Sequence, residues 1–203
     1  VLTAFFALPF VPLALTNNYV PFVLTIWAQH QVTGGMAAVF CATTPLFAVF
    51  LAHVWTSDEK LSAAKLAGVL VGIGGVAILA LPDLMAASEA SLLAKLALLA
   101  SAALYAIGGI YARSVRGVAP IVMSTAQMVT TFVISLPVML LVDHPWTLPF
   151  PGWPAVSAVI GTGVIASGIA SICYFTLIKR AGATNALLVT LLLPLTLSLD
   201  VAD

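Results

Sequence analysis

The first 57 residues read VLTAFFALPFVPLALTNNYVPFVLTIWAQHQVTGGMAAVFCATTPLFAVFLAHVWTS and contain no Asp, Glu, Lys or Arg. A helix needs about 20 apolar residues to cross the hydrocarbon core of a bilayer, so this stretch is long enough for two passes. Lipid cannot bond to backbone groups, which restricts a spanning segment to a helix or a closed barrel. Apolar and polar residues do not alternate with a period of two, which is the pattern of the strands of a barrel. The stretch therefore predicts two transmembrane helices, divided by the polar segment at residues 29–35.

The rest of the chain has the same composition. Of its 203 residues, 62% are hydrophobic and 7% are charged, whereas a soluble domain carries about 25% charged residues to coat its surface. Lipid must therefore solvate this surface. The net charge is zero, which gives no indication of a nucleic-acid partner. The expected fold class is all-α, a polytopic transmembrane helix bundle whose partner is the lipid bilayer.

Five further spans follow the first two, which makes seven. The third follows the charged cluster Asp58-Glu59-Lys60 and runs to Leu81. Charges, prolines and interfacial tryptophans separate the others. These later spans are expected at about residues 92–112, 119–142, 155–178 and from 183 onward.

The basic residues indicate an orientation. Six of the seven fall on one side when successive loops alternate across the membrane, and only Lys95 falls on the other. Cytoplasmic loops carry the excess of Lys and Arg, so the loops near residues 58, 115 and 180 are expected in the cytoplasm. The expected location is the plasma membrane, the inner membrane of a bacterium. The six are Lys60, Lys65, Arg113, Arg116, Lys179 and Arg180.

The chain also contains an internal repeat. A shift of 149 residues aligns residues 33–37 with residues 182–186, and it aligns Pro45-Leu46 with Pro194-Leu195. Five helices separate the two copies, and an odd spacing inverts their topology. Inverted repeats with proline-weakened helices near the midplane are typical of secondary transporters. The alternative is that any two hydrophobic hairpins look alike.

Neutral polar residues are the candidate functional side chains, because the predicted spans carry no secure mid-span carboxylate. Stripes of this kind could line an aqueous cavity, although the same Ser and Thr residues could equally hydrogen-bond across packed helices. The stripes comprise Asn18, Thr25 and Gln29; Ser101 and Tyr105; Ser124, Gln127, Thr131 and Ser135; and Ser167, Ser171 and Tyr174.

An intramembrane enzyme is disfavoured. It would need a nucleophile with a base, a metal cluster or paired carboxylates, and the sequence has no GxSxG, no HExxH and no Cys/His cluster. Cys41 and Cys173 lie in apolar runs and are interpreted as small core residues. The glycines Gly68, Gly72 and Gly75 are interpreted as a packing face. No cofactor or metal is expected.

The order of several motifs is similar to that of EamA-like permeases of the drug/metabolite transporter superfamily. The resemblance implies ten helices in two inverted five-helix repeats, of which this chain holds helices three to nine. Residues 1–82 would be the last three helices of the first repeat, and residues 90–203 would be the first four helices of the second. The motifs that carry the resemblance are NNYVPF at 17–22, WAQ at 27–29, GMAAV at 35–39, ATTPLF at 42–47, YAIGG at 105–109 and GATNA at 182–186.

The same resemblance implies a function. EamA-like permeases move small solutes such as metabolites, amino acids and drugs across the plasma membrane, here by alternating access. A non-transporting membrane scaffold or assembly protein is the alternative, and the coupling ion stays open. The polar residues Asn18, Thr25, Gln29 and Tyr174 are candidates for the lining of a substrate cavity. The resemblance adds further candidates for this lining: Trp27, Phe40, Thr43, Thr44, Pro45, Tyr105, Thr190 and Pro194.

Overall fold

A computed structural model describes residues 9–56, 62–79, 81, 92–115, 117–147 and 149–192. These residues form helices and connecting turns, without a β-strand among them, and we number the helices α1 to α7. Their bounds are Phe10–Gln29 (α1), Gly34–Trp55 (α2), Ala63–Leu79 (α3), Leu92–Ser114 (α4), Pro120–Asp143 (α5), Trp153–Ala181 (α6), and Ala183–Leu187 continued by a 3-10 turn at Leu188–Leu192 (α7).

The helices fall where the apolar runs predict them. Within the described residues, α1, α2, α4, α5 and α6 are each long and apolar enough to cross a membrane. The third expected span contains the shorter apolar helix α3, and the seventh contains α7 over its described residues. The expected all-α, polytopic transmembrane bundle is confirmed.

Local sequence explains where the helices begin and end. The side chain of Thr33 accepts a hydrogen bond from the amide of Met36 and so caps the start of α2. Pro120 is the first residue of α5. The amide of a first helical residue has no partner within its own helix, so proline, which lacks the amide hydrogen, costs no helical hydrogen bond there. Gly182 separates α6 from α7 with a φ of 89°, a conformation that side chains with a Cβ rarely adopt. The chain can therefore reverse within one residue.

Successive helices run in opposite directions, so each end of the bundle collects particular helix termini. We call one the basic end, because α4 and α6 finish there with Arg113, Lys179 and Arg180 in their last turns. At the same end α2 finishes and α1, α3, α5 and α7 begin. Helices α2, α4 and α6 begin at the other end of the bundle, and α1 and α5 end there.

Helix α4 is the centre of the packing. It contacts α1 along most of its length and also contacts α2, α6 and α7. Small residues allow this, because Ala102 and Ala106 are fully buried and hold neighbouring helices close. Helix α7 packs against α2, with Leu187 against Ala48 in one apolar cluster. These two helices are the ones that the internal repeat relates.

Large apolar side chains cover the outside of the bundle. Val71, Leu141 and Trp153 are each at least three-quarters exposed, and α5 and α6 each carry more exposed large apolar residues than any other helix. A water-soluble protein rarely exposes contiguous apolar surface on this scale. This surface fits a lipid environment.

The expected glycine packing face on α3 is only partly present. A Cβ at Gly72 would lie 2.7 Å from Cδ1 of Leu191 in α7, so this glycine does allow close packing. In contrast, no atom of the described residues lies within 4 Å of a Cβ placed at Gly68 or Gly75. One glycine of the three therefore makes the contact that the spacing predicts.

Candidate functional site

Three polar side chains from three helices meet inside the bundle. The amide nitrogen Nδ2 of Asn17 donates to Oε1 of Gln127 at 3.1 Å, and the hydroxyl of Tyr174 donates to Oδ1 of Asn17 at 3.3 Å. Asn17 and Gln127 are buried, with 8% and 2% of their surfaces exposed. We call Asn17, Gln127 and Tyr174 the polar cluster.

The polar cluster lies at one depth in the bundle. Asn17, Gln127 and Tyr174 are each seven residues from the basic end of their helices, which lies at Phe10, Pro120 and Ala181 respectively. At a rise of about 1.5 Å per residue, that is about 10 Å from this end. A hydrocarbon core is about 30 Å thick, so residues at this distance from the helix ends lie within the length of helix that spans a membrane.

A widened turn in α1 presents the two asparagines. Residues Leu15–Tyr19 form a π-helical turn, in which the amide of Val20 bonds to the carbonyl of Leu15, five residues back. Pro21 follows directly and has no amide hydrogen to give to the preceding turn. Turns of this kind are uncommon and are frequently found at functional positions in helices. Helices α5 and α6 also contain them, at Met139–Asp143 and Thr162–Ile169. Here both Asn17 and Asn18 are buried, although neighbouring residues of a regular helix differ by about 100° in direction.

Two glycines of α4 make room for the polar cluster. A Cβ at Gly108 would lie 2.6 Å from the Cβ of Asn17 and 2.9 Å from its Cα, so the two backbones are almost in contact. A Cβ at Gly109 would lie 3.0 Å from the hydroxyl oxygen of Tyr174. Gly108 is therefore required for this arrangement, and Gly109 leaves room for the hydroxyl of Tyr174.

Other polar residues extend the polar cluster along the helices. Beside the polar cluster, the hydroxyls of Ser124 on α5 and Ser171 on α6 share a short hydrogen bond. One turn beyond Gln127, away from the basic end, the hydroxyl of Thr131 is buried and has no hydrogen-bond partner among the described residues. Nδ2 of Asn18 lies 3.6 Å from the sulfur of Met128, and a thioether is a weak acceptor. Thr131 and Asn18 thus retain hydrogen-bonding capacity.

Helix α2 is broken in its middle. The helical segments Gly34–Cys41 and Thr44–Trp55 are separated by a turn at residues 42–43. Pro45 removes the amide that would bond to the carbonyl of Cys41, and the hydroxyl of Thr44 donates to that carbonyl instead, at 2.7 Å. Ser and Thr side chains commonly satisfy carbonyls that a proline frees in a membrane helix.

A cavity of about 480 Å³ opens at the basic end, between the ends of α2, α4 and α6 and the start of α5. Met123 and Phe175 lie in its wall, and both also belong to a buried apolar cluster with Phe10 and Leu13. Met123 is one turn from Gln127, and Phe175 directly follows Tyr174. We call Phe10, Leu13, Met123 and Phe175 the apolar layer, because it separates the cavity from the polar cluster.

Comparison with protein families decides the class of this bundle. The model of the EamA-like transporter family matches residues 2–81 and 92–199, which is nearly the whole chain. The chain belongs to the EamA-like transporter family. It is therefore a membrane transporter, as the motif resemblance implies. No curated protein and no solved structure matches the chain.

The structure of this EamA-like transporter brings some of the predicted site residues together. Tyr174 belongs to the polar cluster, and Asn18 is beside it. Thr25 lies farther along α1 and shares a hydrogen bond of 2.9 Å with Ser101, whose hydroxyl also donates to the carbonyl of Pro21. These contacts hold α1 against α4.

Other predicted residues lie elsewhere. Trp27 and Gln29 are exposed on α1, and Phe40 is half-buried against the apolar core near the start of α4. Tyr105 is half-buried, with its ring edge-on to that of Phe22.

Four residues belong to the two helices that the repeat relates. Thr44 and Pro45 are buried at the break of α2, and the hydroxyl of Thr43 bonds to the carbonyl of Phe40. The backbone of Thr190 lies in the 3-10 turn of α7. Pro194 lies outside the described residues.

Asn17 is not among the residues predicted from the sequence, although Gln127 belongs to one of the predicted polar stripes. Spacing along a regular helix placed Asn18 with Thr25 and Gln29 and left Asn17 on another face. A signal was present in the sequence, since Pro21 is four residues after Asn17 and disturbs the helix there.

Proposed function

We propose that this EamA-like transporter is a permease that moves small polar metabolites or drugs, amino-acid-like solutes included, across the plasma membrane of a bacterium. The observation that carries the proposal is the polar cluster of Asn17, Gln127 and Tyr174, buried between α1, α5 and α6. Polar groups inside a membrane are unfavourable and are usually functional when retained. Their position on three different helices suits a site that opens and closes.

The chemistry of the polar cluster favours solutes recognised by hydrogen bonds. Its groups are amides and a phenol, and the only acidic residue among the described ones, Asp143, lies at the far end of α5. Asn18 and Thr131 offer a further amide and a hydroxyl nearby. A polar solute could exchange its hydrogen bonds with water for bonds to these groups without neutralising a charge.

Alternating access gives the helices their roles in this proposal. Residues 1–82 are the last three helices of one inverted repeat and residues 90–203 are the first four of the other, and contact between α2 and α7 supports the pairing of related helices. With the loops near residues 58, 115 and 180 in the cytoplasm, the cavity of about 480 Å³ is a cytoplasmic vestibule. The apolar layer then closes the path between the vestibule and the polar cluster. Rocking of the repeats would open it.

Solute flux tests the proposal. Proteoliposomes containing the protein are screened with a mixture of amino acids and metabolites, and the solute that is taken up is assayed with Gln127→Leu and Tyr174→Phe. Gln31→Leu, in the exposed loop after α1, makes the same chemical change away from the polar cluster. We expect saturable flux that falls about tenfold or more in Gln127→Leu and is unchanged in Gln31→Leu. Absence of flux for every solute, from inserted and folded protein, favours the non-transporting scaffold.

A further inference from the structure

Helices α1 and α6 both contain a π-helical turn, at positions that the internal repeat relates. Helix α2 begins at Gly34 and α7 begins at Ala183, so the structure keeps the shift of 149 residues that is present in the sequence. The same shift relates the π-helical turn at Leu15–Tyr19 to residues 164–168, which lie inside the π-helical turn at Thr162–Ile169. The two related helices therefore share an irregular feature that is frequently functional.

The turn in α6 presents Ser167, which is the counterpart of Asn18 under this shift. Ser167 is half-buried whereas residues 162–166 are exposed, so it lies on the side of the turn that faces the bundle. A serine in a helix often bonds to a carbonyl of its own helix, as Ser157 does to that of Pro154. In contrast, the hydroxyl of Ser167 makes no hydrogen bond among the described residues. Its bonding capacity is therefore unused.

The hydrogen bond between Ser124 and Ser171 fixes the depth of Ser167. Helices α5 and α6 run in opposite directions, so Met128 and Ser167 each lie four residues, or about 6 Å, beyond this bond on the side away from the basic end. Nδ2 of Asn18 lies 3.6 Å from the sulfur of Met128. The counterparts Asn18 and Ser167 are therefore at the same depth in the bundle.

Helices α5 and α6 separate on the side away from the basic end. Helix α5 packs against the part of α6 from Ala170 onward, whereas no residue of Trp153–Ile169 is buried. At this opening, the buried hydroxyl of Thr131 has no hydrogen-bond partner among the described residues. We call Asn18, Thr131 and Ser167 the polar cleft.

The helices that form the polar cleft carry no charge along their apolar lengths. The sequence has no Asp, Glu, Lys, Arg or His at residues 10–29 in α1, 120–142 in α5 or 153–178 in α6. A charged group of a solute would therefore lose its water without gaining a counter-ion from these helices. An uncharged group that both donates and accepts can bond to the amide of Asn18 and to the two hydroxyls.

We propose that the polar cleft binds an uncharged group of the solute that both donates and accepts hydrogen bonds, a carboxamide or a hydroxyl. This group replaces the sulfur of Met128 as the partner of Asn18, because a thioether is a weak acceptor. Ser167 and Thr131 complete the contact from α6 and α5. The inference rests on the proposed function and deepens it, since it makes the polar cleft a determinant of solute specificity.

Protection of a thiol in the polar cleft tests this inference. Met128→Cys places the thiol beside Asn18. Cys41 and Cys173 are replaced by Ala, so that this thiol is the only one in the chain. Proteoliposomes are treated, from the outside or from the lumen, with a membrane-impermeant thiol reagent. Acetamide is the probe, acetate is its charged match, and acetone is a match that lacks the donor. Ser167→Cys is the second reporter if Met128→Cys does not fold.

We expect acetamide to slow the labelling saturably, and acetate and acetone to have little effect. Ser167→Ala and Thr131→Val should each raise the acetamide concentration for half-protection about fivefold, which is the effect of one hydrogen bond. Ser157→Ala removes a hydroxyl of α6 that is bonded within its own helix, and it should change this concentration less than about twofold.

Several results would overturn the inference: a thiol at position 128 of folded, inserted protein that reacts from neither side, no protection by acetamide, or equal protection by acetate or acetone. Equal effects of Ser167→Ala and Ser157→Ala would also do so. The proposed function is tested separately by flux. Saturable flux without protection by acetamide removes this inference and leaves the permease. Protection without flux of any solute leaves the polar cleft and removes the permease.

Discussion

At the scale of single residues, the polar cluster depends on close contact between the backbones of α1 and α4. Gly108 allows the backbone of α4 to touch that of α1 at Asn17, which in turn bonds to Gln127 and Tyr174. Hydrogen bonds of this kind in membrane proteins contribute modestly to stability. In the proposed function, the same side chains also bind the solute.

Replacing Gly108 by Ala should destabilise the protein by about 1–3 kcal/mol, because overpacked atoms must move apart. The new Cβ would lie 2.6 Å from that of Asn17. The measurement is thermal unfolding in detergent. Gly68→Ala in α3 is the control, since no described atom lies within 4 Å of its Cβ. Equal effects of the two substitutions would contradict the close approach of α1 and α4.

A double-mutant cycle measures the bond between Asn17 and Gln127. Asn17→Ala and Gln127→Ala should be coupled by about 0.5–1.5 kcal/mol in their free energies of unfolding, the range expected for hydrogen bonds between membrane helices. Ser157, whose hydroxyl bonds within its own helix, supplies the control partner. Asn17→Ala and Ser157→Ala should be additive within error. Additivity of the Asn17 and Gln127 changes would mean that the bond is absent.

At the scale of helices, α1 and α2 each contain an irregular segment close to a proline, and in α2 a hydroxyl group compensates for the missing amide. In α1 a π-helical turn precedes Pro21, and in α2 a break precedes Pro45. The two segments differ in function, because the first presents Asn17 and Asn18 to the bundle interior. In the second, the hydroxyl of Thr44 occupies the carbonyl of Cys41.

This compensation predicts a rescue. Thr44→Val should destabilise the protein by about 1–2 kcal/mol, because the carbonyl of Cys41 loses its donor in a buried position. In Thr44→Val combined with Pro45→Ala, the restored amide can bond to that carbonyl, and most of the loss should be recovered. Thr176→Val is the control, because Thr176 also bonds to a carbonyl of its own helix, but no proline is involved. An equal cost of Thr44→Val with and without Pro45 would contradict this explanation.

The helices could be predicted from the sequence far better than the site. Long apolar runs and the prolines, glycines and charges between them set the positions of α1 to α7 closely. The polar cluster joins residues 110 and 157 positions apart, and no local pattern contains such a pairing. Periodicity also failed at Asn17, because the π-helical turn changes the direction of side chains within one turn.

At the scale of the whole molecule, the central claim is that the polar cluster lies on a path that opens to each side of the membrane in turn. The cavity at the basic end leads toward it and is closed by the apolar layer. Thr131 lies on the other side of the polar cluster, with a buried hydroxyl that has no partner among the described residues. A path that opens alternately must at times bring water to Thr131 from both ends of the bundle.

The accessibility of a thiol at this position tests the claim most directly. Thr131→Cys changes the side-chain volume little and breaks no described hydrogen bond, and Cys41 and Cys173 are replaced by Ala to leave a single thiol. A membrane-impermeant thiol reagent is applied to proteoliposomes, in separate samples, from the outside or from the lumen. We predict labelling from both sides, slowed by a transported solute. A folded, inserted Thr131→Cys protein whose introduced thiol reacts from neither side would contradict the permease and support a closed scaffold.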